Sequence, residues 1–296
     1  MNTMSLIKTF VAKYPASVYF SLTFAISWGL ALVAIGGSGG MRGTTPGSDP
    51  RFVYALMAML AGPSLTGILM TALIQGRTGL HEFVSRLFNW RVGARSYAVA
   101  LLTAPLLMAA TLLALSLVSP RFLPGILISD QRGAILLVGL AVGLSAGVFE
   151  ELGWTGFAIS TLRRRHGVLA TGLIVGVWWS AWHLLPNVWS RRAAAGELDA
   201  SVFLAATALA VFVGYLTAFR ILMAWVYDRT GSLFVAMLMH ATFTASLLIL
   251  NPLDISGGRL QAYSFALAGA LWIVVGVITI SNRPEILREP LRRHAA

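Results

Sequence analysis

Eight long apolar stretches are the feature that most limits how this chain can fold. They occupy roughly residues 16–36, 52–74, 97–118, 134–158, 168–190, 202–227, 232–250 and 262–281. A helix needs about 20 mostly apolar residues to cross the hydrocarbon core of a bilayer. Inside a bilayer the backbone polar groups must pair with one another, which a helix achieves within one segment. The pattern predicts an all-α, polytopic membrane protein of about eight transmembrane helices, with a single membrane domain over 1–296.

Composition excludes the other broad classes of protein. Of the 296 residues 57% are hydrophobic and 11% are charged, and the mean hydropathy is +0.77. Soluble domains carry about 25% charged residues, and disordered chains lack this much apolar surface. The chain has no cysteine, so disulfides, thiolate metal ligands and a cysteine nucleophile are excluded. The net charge of +11 is typical of basic cytoplasmic loops, and we expect no nucleic-acid partner.

The distribution of basic residues predicts the orientation in the membrane. If the N-terminus is cytoplasmic, 14 of the 22 Lys and Arg residues lie on that side, 7 lie on the other, and Arg220 falls inside a span. Cytoplasmic loops carry the excess of Lys and Arg. We therefore expect a multi-pass protein of the plasma (inner) membrane with both termini in the cytoplasm.

The segment 78–96 is too polar to span the membrane. Phe83, Phe88 and Trp90 alternate there with Arg86 and Arg91. This alternation is typical of an amphipathic helix on the membrane surface, and an ordinary basic loop is the alternative.

Two adjacent carboxylates, Glu150 and Glu151, are the only acidic residues inside an apolar stretch. A charged side chain near the bilayer centre costs about 2.5–3.5 kcal/mol on insertion scales. The pair must therefore be protonated, ion-paired or metal-bound, unless the helix ends early and leaves both residues at its rim. Because the sequence continues apolar from Gly153 to Phe157, we favour a buried pair.

Two histidines, His183 and His240, also lie inside apolar stretches. A lone buried histidine is usually a satisfied core residue, but two with two buried carboxylates indicate a site. Imidazole and carboxylate groups bind zinc when cysteine is absent, and they equally serve as a general base and its partner. The spacing leaves both uses open. Glu150 and His240 each lie about 12 Å from the cytoplasmic end of their helix, at a level similar to Arg220.

Three short motifs carry a resemblance to a known family. The run from Glu150 to Ala158 reads EELGWTGFA and resembles a first motif of the form E-E-x-x-x-R; Trp179 precedes His183 by four residues, as in the second motif. His240 with Thr244 resembles the third, a histidine followed four residues later by Asn or Asp. Over 134–250, taken as the family-like catalytic core, the chain is similar to the CPBP family of intramembrane metalloproteases, which comprises the CAAX proteases and bacteriocin-processing enzymes and is also called the Abi family.

The resemblance implies an endopeptidase that cleaves a peptide or membrane-protein substrate within the lipid bilayer. Glu150 and His183 would activate a water, and His240, with Thr244, would stabilise the oxyanion. Glu151 completes the candidate catalytic set. The family is described as metal-dependent; if zinc or another divalent metal takes part, the candidate ligands are Glu150, Glu151, His183 and His240. Both a prenylated substrate and a secreted peptide remain open.

Two departures from the family motifs keep other functions open. Thr155 stands where the first motif has arginine, and Thr244 stands where the third has Asn or Asp. Arg220 is a candidate to supply the missing charge. The first alternative is a catalytically inactive relative that acts as a membrane binding or immunity protein. The second is a transporter with Glu150, Glu151 and Arg220 as an ion relay.

Overall fold

The computed structural model describes residues 3–37, 39–40, 49–191 and 195–282. Within these ranges the protein consists of helices and contains no strand. The helices are α1 (Thr3–Lys13), α2 (Pro15–Ile35), α3 (Pro50–Leu87), α4 (Ala94–Ser116), α5 (Arg132–Gly153), α6 (Val168–Trp182), α7 (Leu184–Arg191), α8 (Ala200–Thr207), α9 (Thr217–Thr230), α10 (Leu233–Ile249) and α11 (Gly257–Ser281). Short helical turns cover Pro120–Phe122, Gly125–Ile128 and Ser160–Leu162.

The prediction of an all-α polytopic membrane protein is confirmed. Among the described residues, six helical segments are long and apolar enough to span a membrane: Pro15–Ile35, Pro50–Leu87, Ala94–Ser116, Arg132–Leu162, Ala200–Thr230 and Gly257–Ser281. The helices α6 and α10 are apolar but shorter, with 15 and 17 residues. Each of the eight expected stretches thus contains a helix, but the structure does not confirm eight full spans.

The stretch expected at 168–190 is not one helix. It divides into α6 and α7 at His183. Pro186 has no N–H with which to bond the carbonyl of Trp182 four residues earlier. The Trp28 indole N–H donates to that carbonyl instead, at 3.0 Å. The break leaves His183 as the C-terminal cap of α6, with its ring against those of Trp179 and Trp182.

The basic segment at 78–96 is not one helix: it is helical to Leu87 and again from Ala94, where α4 begins. α3 continues to Leu87 beyond a break at Gly76, where φ is +62° and ψ is −150°. A positive φ is accessible to glycine because it lacks a Cβ atom. Phe83 is buried, whereas Phe88 and Trp90, which follow the helix, are exposed. The expected membrane-surface helix is therefore shorter than predicted, and its depth in a membrane stays a prediction.

Close packing of α5 against α10 brings the candidate site together. A Cβ atom added to Gly143 would lie 2.5 Å from the carbonyl oxygen of Ala241, which no real side chain tolerates. Similar close contacts with α10 occur at Gly139 and Gly147, whereas Gly153 packs closely against Pro63 of α3 and Tyr19 of α2. These glycines allow the close helix approach expected of small residues in membrane proteins.

Two π-helical segments flank this packed region, at Trp154–Ile159 directly after α5 and at Ala208–Leu216 between α8 and α9. Such segments are rare and occur frequently at functional sites. Here they join the helices that carry Glu150, Glu151 and Arg220.

Several basic residues used for the orientation lie outside the described residues: Arg42, Arg192, Arg283, Arg288, Arg292 and Arg293.

Candidate active site

Glu150 and Glu151 both lie inside the protein, in the last turn of α5. Their exposed fractions are 3% and 0%, and the helical chain continues past them to Leu162. The alternative that the pair marks an exposed helix rim is therefore wrong. Burial of two carboxylates requires partners, which come from α6, α9, α10 and the π-helical segment Trp154–Ile159.

The His240 imidazole lies between the two carboxylates. Its Nδ1 is 2.7 Å from Glu151 Oε1, and its Nε2 is 4.0 Å from Glu150 Oε1. An ionised carboxylate only accepts hydrogen bonds, so Nδ1 carries the proton in the contact with Glu151. The other nitrogen then faces Glu150 across a gap that is too long for a direct hydrogen bond.

Glu151 is held by a cation and a hydroxyl. One terminal guanidinium nitrogen of Arg220 donates to both Glu151 oxygens at 2.8 Å each, and the Thr155 hydroxyl donates to Oε2. Arg220 is fully buried. The sequence placed Arg220 at the level of the carboxylates, and the structure brings it into contact with Glu151.

Trp179 connects Glu150 to His183. Its indole N–H donates a 2.7 Å hydrogen bond to Glu150 Oε2, and its carbonyl lies 2.9 Å from His183 Nδ1. The carbonyl only accepts, so Nδ1 is the donor and the His183 Nε2 is left for other chemistry. Glu150 and His240 both lie within electrostatic range of the half-buried His183 ring.

The sequence analysis named Trp179 only as part of the second motif and missed its polar role. The ring is buried, and the Arg220 guanidinium lies 4.0 Å above its centre. Its edge also meets the rings of His183 and His240, with centroids 5.0 Å and 5.3 Å away. The only signal in the sequence was its place four residues before His183, on the same side of α6.

Thr244 is not part of the hydrogen-bonded cluster. It lies one turn beyond His240 on α10 and is partly exposed. Within the described part of the chain, the cluster consists of Glu150, Glu151, Thr155, Trp179, His183, Arg220 and His240, and the structure shows no bond from Thr244 to any of them.

The proposed metal ligands do not fit a divalent ion as they are arranged. Both oxygens of Glu151 are bound by Arg220, and one also accepts from His240 Nδ1. A guanidinium at 2.8 Å opposes a second cation on the same carboxylate. No group of three or more His, Asp or Glu side chains in the described ranges has the geometry to hold a metal ion.

Two cavities lie outside the cluster. One of about 200 Å³ lies at the ends of α4, α9 and α11 beside Arg95 and Arg229. A second, of about 120 Å³, lies beside Lys13 and Arg165. Neither is lined by a residue of the cluster, whose most exposed member is His183.

Comparison with known proteins identifies the segment that carries this cluster. Residues 132–246 match the family model described as Type II CAAX prenyl endopeptidase Rce1-like. This segment is therefore similar to the Rce1-like CAAX protease family. All seven cluster residues fall inside it, and it overlaps the motif-bearing range 134–250.

A curated relative extends the similarity beyond the Rce1-like segment. The chain is 26% identical over 180 residues to a protein named CAAX prenyl protease 2 from Methanococcus maripaludis. The match covers 58% of this chain and 62% of the length of that relative.

Proposed function

We propose that this chain is an intramembrane endopeptidase that hydrolyses a peptide bond with a water activated by Glu150. One observation carries the proposal: Glu150 Oε1 and His240 Nε2 face each other 4.0 Å apart in an Rce1-like segment. One water can bridge polar atoms at such a separation. A buried carboxylate and imidazole around a bound water is the arrangement that general-base hydrolysis requires.

Glu150 is suited to take the proton of the water. Trp179 holds Oε2 through its indole N–H, which leaves Oε1 to accept from the water. As the oxygen–carbon bond forms, the proton passes to Glu150 and then to the leaving nitrogen, and the carbon–nitrogen bond breaks to give a carboxylic acid and an amine. His183, with Nε2 unprotonated, is the second proton acceptor beside Glu150.

His240 is suited to stabilise the negative charge that develops on the peptide oxygen. Its Nδ1 is fixed by Glu151, so its Nε2 points toward the reacting centre and can donate to the oxyanion when it is protonated. Thr244 stays a candidate for a second donor, from a position outside the hydrogen-bonded cluster. The proposed reaction needs no metal ion on Glu151, whose two oxygens are already paired with Arg220.

The substrate proposed is a peptide or protein held at the membrane. The relative is named a CAAX prenyl protease, which makes a peptide with a prenylated cysteine near its C-terminus the first class to test. Unmodified secreted peptides are the second class.

We also propose a plasma-membrane location with both termini in the cytoplasm. A reporter fused after Arg165 should then be cytoplasmic, and a signal from the opposite side would reverse the orientation.

Peptide cleavage by the purified protein in lipid tests the proposal. The substrates are a prenylated peptide library and the same library without the prenyl group, with products read by mass spectrometry. Glu150→Gln is the matched control, because the amide keeps an oxygen to accept from Trp179 but cannot take a proton. Products that form with the wild type and not with Glu150→Gln support the peptidase. Products formed equally by both proteins would overturn the role of Glu150.

A membrane binding protein without catalysis is the second candidate. Thr155 in place of the arginine of the first motif, and the position of Thr244 outside the hydrogen-bonded cluster, favour this function. It predicts that a well-folded wild-type protein gives no products from either library, and that Glu150→Gln retains binding of a membrane or peptide partner.

A further inference from the structure

Arg220 is a buried cation, and a contribution to stability does not by itself explain why it lies there. It is fully buried in α9, and of its three guanidinium nitrogens one donates to Glu151. The other two, Nε and Nη2, have no hydrogen-bond partner among the described residues. A buried ion pair is weak evidence for stability, since the cost of removing both charges from water offsets their attraction. Buried donors without partners add to that cost.

The contacts of Arg220 continue directly into the candidate catalytic groups. Glu151 Oε1 accepts both from Arg220 and from His240 Nδ1. His240 Nε2 then faces Glu150. The same guanidinium lies over the ring of Trp179, which binds the other oxygen of Glu150. One cation therefore contacts both Glu151, which binds His240, and Trp179, which binds Glu150.

We infer that Arg220 is a positioning residue, which fixes Glu151 so that Glu151 orients His240 toward Glu150; the catalytic part of this inference rests on the proposed function. Arg220 does not face the reacting space itself. Its effect passes through a carboxylate that only accepts hydrogen bonds and therefore selects the orientation of the His240 ring.

Residue 155 offers an independent position from which to test this inference. The Thr155 hydroxyl already donates to the same carboxylate, at Oε2, so a longer cationic side chain at 155 can reach Glu151 once Arg220 is shortened. Thr155 is fully buried, and an arginine there would compete with Arg220 for the same carboxylate. The two positions should consequently be strongly coupled.

The experiment compares Arg220→Ala, Arg220→Lys, Thr155→Arg and the double variant Thr155→Arg/Arg220→Ala. Arg163→Met is the matched control, because Arg163 forms another buried ion pair, at 2.7 Å to Asp228, away from the cluster. Two readouts are taken for each protein in lipid. The first is kcat and KM for the best substrate, and the second is the ¹⁵N shift of His240 Nδ1, assigned by comparison with His240→Gln.

We expect Arg220→Ala to lower kcat by about 100-fold, the loss typical of one missing electrostatic group in a site, with KM changed by less than about threefold. Arg220→Lys should retain part of the activity, and the double variant should recover at least about tenfold over Arg220→Ala. The ¹⁵N shift should move in Arg220→Ala and return in the double variant. Arg163→Met should lower the melting temperature and change neither readout.

Two results would overturn the inference. The first is a kcat of Arg220→Ala equal to that of Arg163→Met. The second is a double variant whose kcat does not exceed that of either single variant, together with a ¹⁵N shift that is the same in Arg220→Ala as in the wild type. If the wild type cleaves nothing, the proposed function fails, and the ¹⁵N shift alone decides. A shift that moves in Arg220→Ala and returns in the double variant then supports the orientation of His240 by Arg220, and a constant shift refutes it.

Discussion

The indole nitrogen of Trp179 donates a 2.7 Å hydrogen bond to Glu150 Oε2, across 29 residues of chain. This bond leaves Oε1 as the oxygen that faces His240, 4.0 Å from its Nε2. The carbonyl of the same tryptophan holds His183 Nδ1. One aromatic residue thus fixes the orientation of a carboxylate and of an imidazole.

Trp179→Phe removes the donor and keeps most of the ring. A hydrogen bond to a charged group contributes about 1.5–3 kcal/mol, so we expect kcat to fall about ten- to a hundredfold with little change in KM. Trp178→Phe is the control, because Trp178 is partly exposed and stacks on Phe20 instead. Equal activity of Trp179→Phe and Trp178→Phe would show that the hydrogen bond to Glu150 does not matter for cleavage.

Chelation should not stop cleavage. The oxygens of Glu151 are bound by Arg220 and His240, and the described ranges offer no three-donor metal group. We expect EDTA and phenanthroline to change the initial rate by less than about twofold, which corresponds to less than about 0.5 kcal/mol. Loss of activity that zinc restores would instead establish a metal enzyme and would require the cluster to rearrange.

Gly143→Ala should separate α5 from α10. The added Cβ would lie 2.5 Å from the carbonyl oxygen of Ala241, and overpacking of this kind costs about 1–3 kcal/mol. We expect a lower melting temperature and a loss of kcat, because the carboxylates and His240 are on the two helices that move apart. Gly269→Ala on α11 is the control, since its Cβ meets nothing within 4 Å; an equal effect of both substitutions would contradict the role of the α5–α10 contact.

Asp199 should make the start of α8 sensitive to acid. The Ser201 hydroxyl and the backbone N–H groups of Val202 and Ser201 hold the pKa of the Asp199 carboxyl below its ordinary value. The cap therefore stabilises the folded state above about pH 4, the pKa of an unfolded aspartate, and this contribution disappears as the pH falls through the lower folded pKa.

Melting temperatures between pH 6 and pH 3 test this prediction. Asp199→Ala should melt below the wild type at pH 6, and the difference should shrink toward pH 3. Asp199→Asn keeps a capping oxygen that does not titrate, so it should lose less stability than the wild type over the same interval. If the melting temperatures of the wild type and Asp199→Ala differ by the same amount at every pH, the Asp199 cap is not the group that titrates.

The sequence by itself determined the class of protein and the chemical groups of the site. Apolar stretches of membrane length permit only helices in a bilayer, so the helical class and the approximate positions of the helices followed directly. The cost of charge in an apolar stretch identified Glu150 and Glu151, and the same reasoning marked His183, His240 and Arg220. These are local properties, readable wherever a polar residue interrupts an apolar run.

Only the tertiary structure decided which of these groups meet. Arg220 and Glu151 are 69 residues apart in sequence, and nothing in either stretch shows that α9 packs beside the end of α5. The polar role of Trp179 and the absence of Thr244 from the cluster were likewise not predictable. A hydrogen bond forms or fails with changes of a few tenths of an ångström in the distance between its atoms. Close packing at the α5–α10 glycines sets these distances, and the hydropathy of the sequence does not reveal them.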